Sequence, residues 1–219
     1  MKNIKWFNLL LELLVVIFGV TIAFSLNTWK ENRRTSQLER EYLMSYKYDL
    51  EKDTVQLLEY IDTLTIHKDN CGKLIGMIFS NNFEDESLLT NSLSLFFVTN
   101  FMPHSATYKS MTSSGQLQLI KDFDLRKRIV DLYDVDHAEI ALIDEFNKDQ
   151  VFDYKIPFLH DNIQYGRRAI SNTEVLTSSK YINMTMSTFY FLDRKINMYR
   201  ETLETSRELI IDIDKKLKD

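Results

Sequence analysis

Glycine and proline are scarce, five and two in 219 residues, about a quarter of their roughly 12% average usage. A β-sandwich, barrel or doubly wound sheet needs many tight turns, and those turns draw on Gly, Pro, Asn and Asp. Long helices with few connections need far fewer, so the expected fold class is all-α. A single cysteine, Cys71, excludes an intramolecular disulfide framework and any cysteine-rich zinc module. Net charge is only -5 with both signs mixed, which leaves no electrostatic footprint for nucleic acid. Hydrophobic residues at 44% and aromatic residues at 12% are too many for a disordered chain. A slightly negative mean hydropathy excludes a polytopic membrane protein but allows one span.

Signals of catalysis are also lacking. No two glycines lie closer than Gly72 and Gly76, and no Lys-Ser or Lys-Thr follows them, so there is no phosphate-binding loop. The four histidines, His67, His104, His137 and His160, include no i,i+4 pair. Asp134-x-x-His137, inside the acidic group Asp131, Asp134, Asp136 and Glu139, has the spacing of half a di-iron site. Such a site needs a second carboxylate-x-x-His, and His67 and His160 have Leu64 and Pro157 at that position. The acidic group therefore reads as a solvated face, and Cys71 as a buried structural thiol. Arg126, Lys127 and Arg128, with Arg167 and Arg168, make short basic clusters that read as solvated. No catalytic residue, cofactor-binding residue or metal ligand is expected, and the chain does not read as an enzyme.

What is present begins with a long apolar run. From Leu9 to Leu26 the only charge is Glu12, and Trp6 and Trp29 bracket the segment. Their 23-residue separation spans about 35 Å as helix, enough for a hydrocarbon core of roughly 30 Å with its interfaces. Indoles favour that boundary, so residues 1–30 read as a membrane anchor and the lipid bilayer as a partner. A cleavable secretory signal is the competing reading, with Lys2 and Lys5 before the run and Ala23-Phe24-Ser25 as the small-x-small site. Against it stand the length of the run, the carboxylate within it, and a helical pattern that passes through the cut. Lys30, Arg33, Arg34 and Arg40 outnumber Lys2 and Lys5, but Glu31, Glu39 and Glu41 dilute them, so topology stays open.

Glu12, Val16, Gly19, Ala23 and Asn27 recur at steps of three and four and share one face. Gly19-x-x-x-Ala23 permits close backbone approach between helices, while a carboxylate in lipid is costly unless protonated or paired. The face reads as a homo-oligomeric seam; the alternative is that Glu12 snorkels to nearby headgroups.

Residues 31–219 are expected to form an elongated antiparallel helical bundle. The first stripe is Leu43, Tyr46, Leu50, Leu57, Ile61, Leu64, Cys71, Ile75 and Ile78, interrupted by Thr54 and Lys68. No breaker lies between Trp29 and Cys71, so this helix is expected to continue the span. A second stretch covers about 87–101 and stops before Pro103. The third uses Leu125, Ile129, Leu132, Ile140, Ile143 and Phe146, with Pro157 kinking or ending it. The fourth, a coiled-coil-like repeat, is Phe189, Leu192, Ile196, Tyr199, Leu203, Ser206, Ile210, Ile213 and Leu217. It is expected to run antiparallel to the first and bring the C-terminus back towards the membrane. Between Pro103 and Ile120 the periodicity breaks into a hydroxyl-rich elbow carrying Ser105, Thr107, Tyr108, Thr112, Ser113, Ser114 and Gly115. Ser105 suits a helix N-cap and Gly115 a left-handed helix end. The hydroxyls either satisfy their own backbone or bind a small polar ligand or partner.

Two groups of residues carry a family resemblance. One is the apolar run with Glu12, Gly19, Ala23, Asn27, Trp29, Glu31 and Arg33; the other is Ser105, Thr107, Tyr108, Ser113, Ser114, Gly115, Leu117, Leu125, Arg126 and Tyr133. Both resemble a family of uncharacterised single-span membrane proteins of Bacteroidetes-type bacteria. That resemblance implies an anchor in the bacterial cytoplasmic membrane and an α-helical domain, and it implies no activity.

Three functions fit these features. The first is a membrane-anchored interaction or scaffold protein that self-associates through its span and bundle faces. The second is a sensor that binds a small ligand near residues 105–115 and signals through a partner. The third is a subunit of an ion-conducting or motor-like complex that uses Glu12.

Overall fold

The computed structural model describes residues 3–164, 169–170 and 173–218. Gly166, Arg167 and Arg168, the last two read above as a basic cluster, lie outside the described residues. Helix α1 runs unbroken from Asn3 to Ser80, 78 residues or about 117 Å. Its polar stretch thus continues the apolar one with no hinge. It ends where Asn81 takes a left-handed conformation, φ 51°, which Asn tolerates better than most residues. Short helix α2 (Leu88–Leu93) and a 3-10 turn (Ser94–Phe96) follow. The second stretch is therefore shorter than the periodicity suggested, because Phe97 to Ser105 is irregular. Helix α3 (Ala106–Ser113) and the 3-10 turn Gln116–Leu119 form the elbow.

From Phe123 to Asn162 the chain is continuously helical but alternates in pitch. Helices α4 (Phe123–Asp131), α5 (His137–Asp149) and α6 (Ile156–Asn162) are joined by π-helical turns at Leu132–Asp136 and Gln150–Lys155. Pro157 does not end the run. It sits in the first turn of α6, where the wider π turn before it removes the need for the missing N–H. A two-residue hairpin pairs β1 (Ile163–Gln164) with β2 (Ala169–Ile170). Helix α7 (Ser179–Lys218) then returns over 40 residues.

Helices α1 and α7 are antiparallel. Lys47 meets Asp214 at 2.7 Å and Lys68 meets Asp193 at 2.5 Å, and the Arg40 guanidinium donates to the Leu217 carbonyl. The last turn of α7 therefore lies about 11 residues past Trp29, on the end of the bundle nearer the apolar stretch.

Two apolar clusters stack along this pair. The one nearer the apolar stretch holds Leu43, Leu50, Met111, Ile120, Ile129, Leu132, Leu209 and Ile213. The distal one holds Leu57, Leu64, Cys71, Leu74, Leu95, Ile140, Leu192, Ile196 and Leu203. Several seam positions differ from the sequence reading by one residue. Leu74, not Ile75, and Leu209, not Ile210, are fully buried. The seam of α1 keeps a strict seven-residue step from Leu43 to Ile78, and Leu74 is the residue between that fits it. Asp53, not Thr54, is the polar residue on that seam and is fully buried. On α5, Ile143 is only half-buried and Phe146 is exposed, because Asp144 and Asn147 occupy the inward positions. Phe189 and Leu217 are likewise half-buried.

Candidate functional site

The N-terminal stretch of α1 is apolar nearly all round, with Glu12 its one charge between Leu9 and Leu26. Residues 6–30 are all exposed, and this is the one described helix long and apolar enough to cross a membrane. A helix that is apolar nearly all round and has no protein cover is suited to an apolar solvent. Glu12, Val16, Gly19, Ala23 and Asn27 are all exposed on it. Among the described residues, nothing beyond the adjacent residues and local backbone of α1 lies within 4 Å of where a Cβ on Gly19 would stand, so a second helix could approach that backbone closely. Trp6 and Trp29 are both exposed at the ends of the apolar stretch. The Arg33 guanidinium sits 5.6 Å from the Trp29 ring centroid.

The elbow is tied to α1 through two carboxylates. Asp53 accepts the His104 backbone N–H at 2.9 Å and contacts its Nδ1 at 2.7 Å. Asp49 accepts the Thr107 hydroxyl at 2.6 Å and also the Thr107 backbone N–H. Burial raises the Asp53 carboxyl above the usual range, and the hydrogen bonds from His104 oppose that rise. Ser105 occupies the N-cap position of α3, but its side chain makes no capping bond. Asp49 satisfies the first-turn N–H of Thr107 instead, so one helix caps another.

The remaining elbow groups are also committed. Thr112, Ser113 and Ser114 donate to carbonyls three or four residues back. The Tyr108 hydroxyl donates to Asp134 at 2.6 Å, and the Tyr108 and Tyr133 rings stack at 4.6 Å. Gly115 is left-handed at φ 68°, where a Cβ would be strained. The hydroxyls thus serve backbone and neighbouring helices, as expected of a buttress. A shallow groove lined by Met44, Tyr48, Asp49 and Thr107 remains beside them.

Asp134 and His137 do not act as a pair. Asp134 is exposed and receives Tyr108, whereas His137 is buried edge-on against Tyr133 and Phe101, at 4.9 and 5.5 Å. Burial pushes the His137 imidazole down to about 4. Cys71 is buried, and the same effect pushes its thiol up to about 11. The basic cluster is only partly solvated. Arg128 binds Glu208 and Asp212, and Arg126 donates to the Ile120 carbonyl, so both pin α4 to its neighbours.

The most buried ionic group was not foreseen. Lys195 is 0% and Asp144 2% exposed, and they meet at 2.5 Å in the distal cluster. The Tyr199 hydroxyl and the Phe101 backbone N–H donate to the same carboxylate, and Lys195 also donates to the Thr99 carbonyl. Burial lowers the Lys195 ammonium, while Asp144 beside it opposes that shift. Residue order gave no signal for it, because the expected stripes place Ile143 and Ile196, not Asp144 and Lys195, on the inward face.

This is an all-α chain in which one apolar helix, suited to a bilayer, continues into a bundle braced by an elbow. Residues 12–189 match the profile of a family of unknown function (DUF6090). The chain belongs to that family. Neither the curated proteins nor the solved structures contain a match.

Proposed function

We propose that this protein is a single-pass, membrane-anchored interaction protein of the bacterial cytoplasmic membrane that self-associates through its span. The observation that carries the reading is the unbroken course of α1 from Asn3 to Ser80. A lipid-suited segment and a bundle seam on one rigid rod couple what happens in the membrane to the domain outside it. The open face at Glu12, Gly19 and Ala23 gives two spans a place to approach, and a paired Glu12 is less costly in lipid than a lone one. Cross-linking the full chain in native membranes tests this. A dimer or higher species that Gly19→Leu weakens is the expected result; a strict monomer contradicts it.

A sensor reading is favoured by one observation. The two carboxylates that hold the elbow, Asp49 and Asp53, belong to the same helix as the span. An elbow shift would therefore move α1 directly. A fusion-reporter measurement of topology tests it, since a cytoplasmic bundle excludes an extracellular ligand.

A further inference from the structure

Helices α5 and α7 leave an open groove on the outside of the bundle. Its apolar half, 550 Å³, is lined by Leu142, Ile143, Phe146, Phe191 and Met198, with Arg194 at the rim. Leu142 is 70% and Phe146 53% exposed, unusual for residues this large on a helix that packs elsewhere. Phe146 and Phe191 meet at 5.9 Å across the floor. The adjoining half, 220 Å³, is polar and holds Asp136, Glu139 and Glu201 with Thr202 and Thr205. Glu139 and Met198 line both halves, so they form one groove. From Asp136 to Phe146 it runs about 15 Å, roughly three turns of a helix.

The acidic half carries concentrated negative charge. Burial raises the Asp136 carboxyl, and Glu139, Asp131 and Glu201 raise it further. Among the described residues, no lysine or arginine lines that half. Helix α7 returns towards the membrane, so the acidic half is the end nearer the bilayer and the apolar half the end farther from it.

We propose that this groove receives a basic amphipathic helix of a different protein, its apolar face on Leu142, Phe146 and Met198 and its cationic turn at Asp136, Glu139 and Glu201. Charge complementarity selects the occupant. A second copy is the poorer fit. Copies in one bilayer stand parallel, and a two-fold axis along the membrane normal sets both acidic halves against each other at one height. The inference rests on the reading of this chain as an interaction protein, but not on its self-association. A monomer that binds such a helix would keep the groove and remove the oligomer.

The test uses the full chain in phosphatidylcholine nanodiscs, with binding to empty nanodiscs subtracted. The probe is a fluorescent, amidated 15-residue peptide with leucines three and four apart on one face and three lysines in one terminal turn. A second peptide carries glutamates in place of the lysines. The lysine peptide should bind at least about tenfold more tightly, a difference of about 1.4 kcal/mol. Leu142→Asp should lower that affinity about tenfold or more with the melting temperature unchanged. Glu139→Lys should reverse the preference between peptides. Equal binding of the two peptides, or equal affinity of wild type and Leu142→Asp, would overturn the proposal. So would a change of oligomeric state in Leu142→Asp, which would assign the groove to a second copy.

Discussion

Two stretches of one helix, Leu9–Leu26 and Leu43–Ile78, differ in what surrounds them rather than in how they fold. The first exposes every side chain, large apolar ones included. The second buries a narrow stripe at a seven-residue step and turns its charges outward, Asp49 and Asp53 excepted. Backbone hydrogen bonds are satisfied within the helix in both. Helical geometry therefore carries straight across, and only the surroundings of the side chains change, from full exposure to a packed seam. The lesson is that burial pattern, not secondary structure, marks where the apolar, membrane-suited stretch gives way to the bundle.

The comparison breaks most easily in the bundle. Lys195→Ala leaves Asp144 buried beside only neutral donors, and loss of one partner of a buried pair typically costs about 3–5 kcal/mol. Chemical denaturation of the full chain in detergent, followed by circular dichroism, should show a loss of that size. Leu64→Ala, a fully buried seam position, should cost about 2–5 kcal/mol in the same assay.

His137 predicts a pH dependence. Its imidazole falls from 6.5 to about 4 on folding because burial disfavours the cation. The folded state is thus the weaker proton binder. The stability tied to a neutral His137 is complete above about 6.5 and is lost as pH falls towards 4. The shift corresponds to about 3 kcal/mol. Denaturation between pH 7 and pH 4 should show the loss, and His137→Phe should remove most of that slope. Unchanged pH dependence in His137→Phe would place the effect on other groups. The smallest effect belongs to the span: Leu14→Ala should leave bundle unfolding within about 0.5 kcal/mol of wild type, as for surface sites. A core-sized loss there would mean that Leu14 packs against protein.

Much of this architecture could be read from residue order. Scarce glycine and proline announced long helices, the apolar run between the tryptophans marked the one described helix apolar enough to cross a membrane, and leucines at seven-residue steps marked the α1 seam. The elbow was visible as a break in periodicity, with Gly115 at its end. What was hidden depends on partners distant in sequence. Asp49 caps α3 from another helix, and no local pattern announces that. Asp53 and Asp144 look like surface residues until Tyr199, His104 and the backbone N–H groups of the irregular segment reach them, and so does Lys195 until it meets Asp144 and the Thr99 carbonyl. The π turns at Leu132–Asp136 and Gln150–Lys155 shift the phase of the stripe. That shift accounts for the inward turn of Asp144 and the outward turn of Phe146. The exposed groove between α5 and α7 follows from it.

The central claim is that α1 crosses the bilayer and enters the bundle as one continuous helix. Spin labels placed singly from position 9 to 40, in nanodiscs of the full chain with Cys71 replaced by Ser, test it most directly. Oxygen accessibility should exceed that of a polar nickel reagent at all positions between Trp6 and Trp29, with a maximum midway between them at positions off the Gly19 face. The order should invert beyond Trp29, while label mobility stays that of an ordered helix throughout. A 3.6-residue oscillation in polar accessibility across positions 9–26, or a jump in mobility near Trp29, would contradict the account.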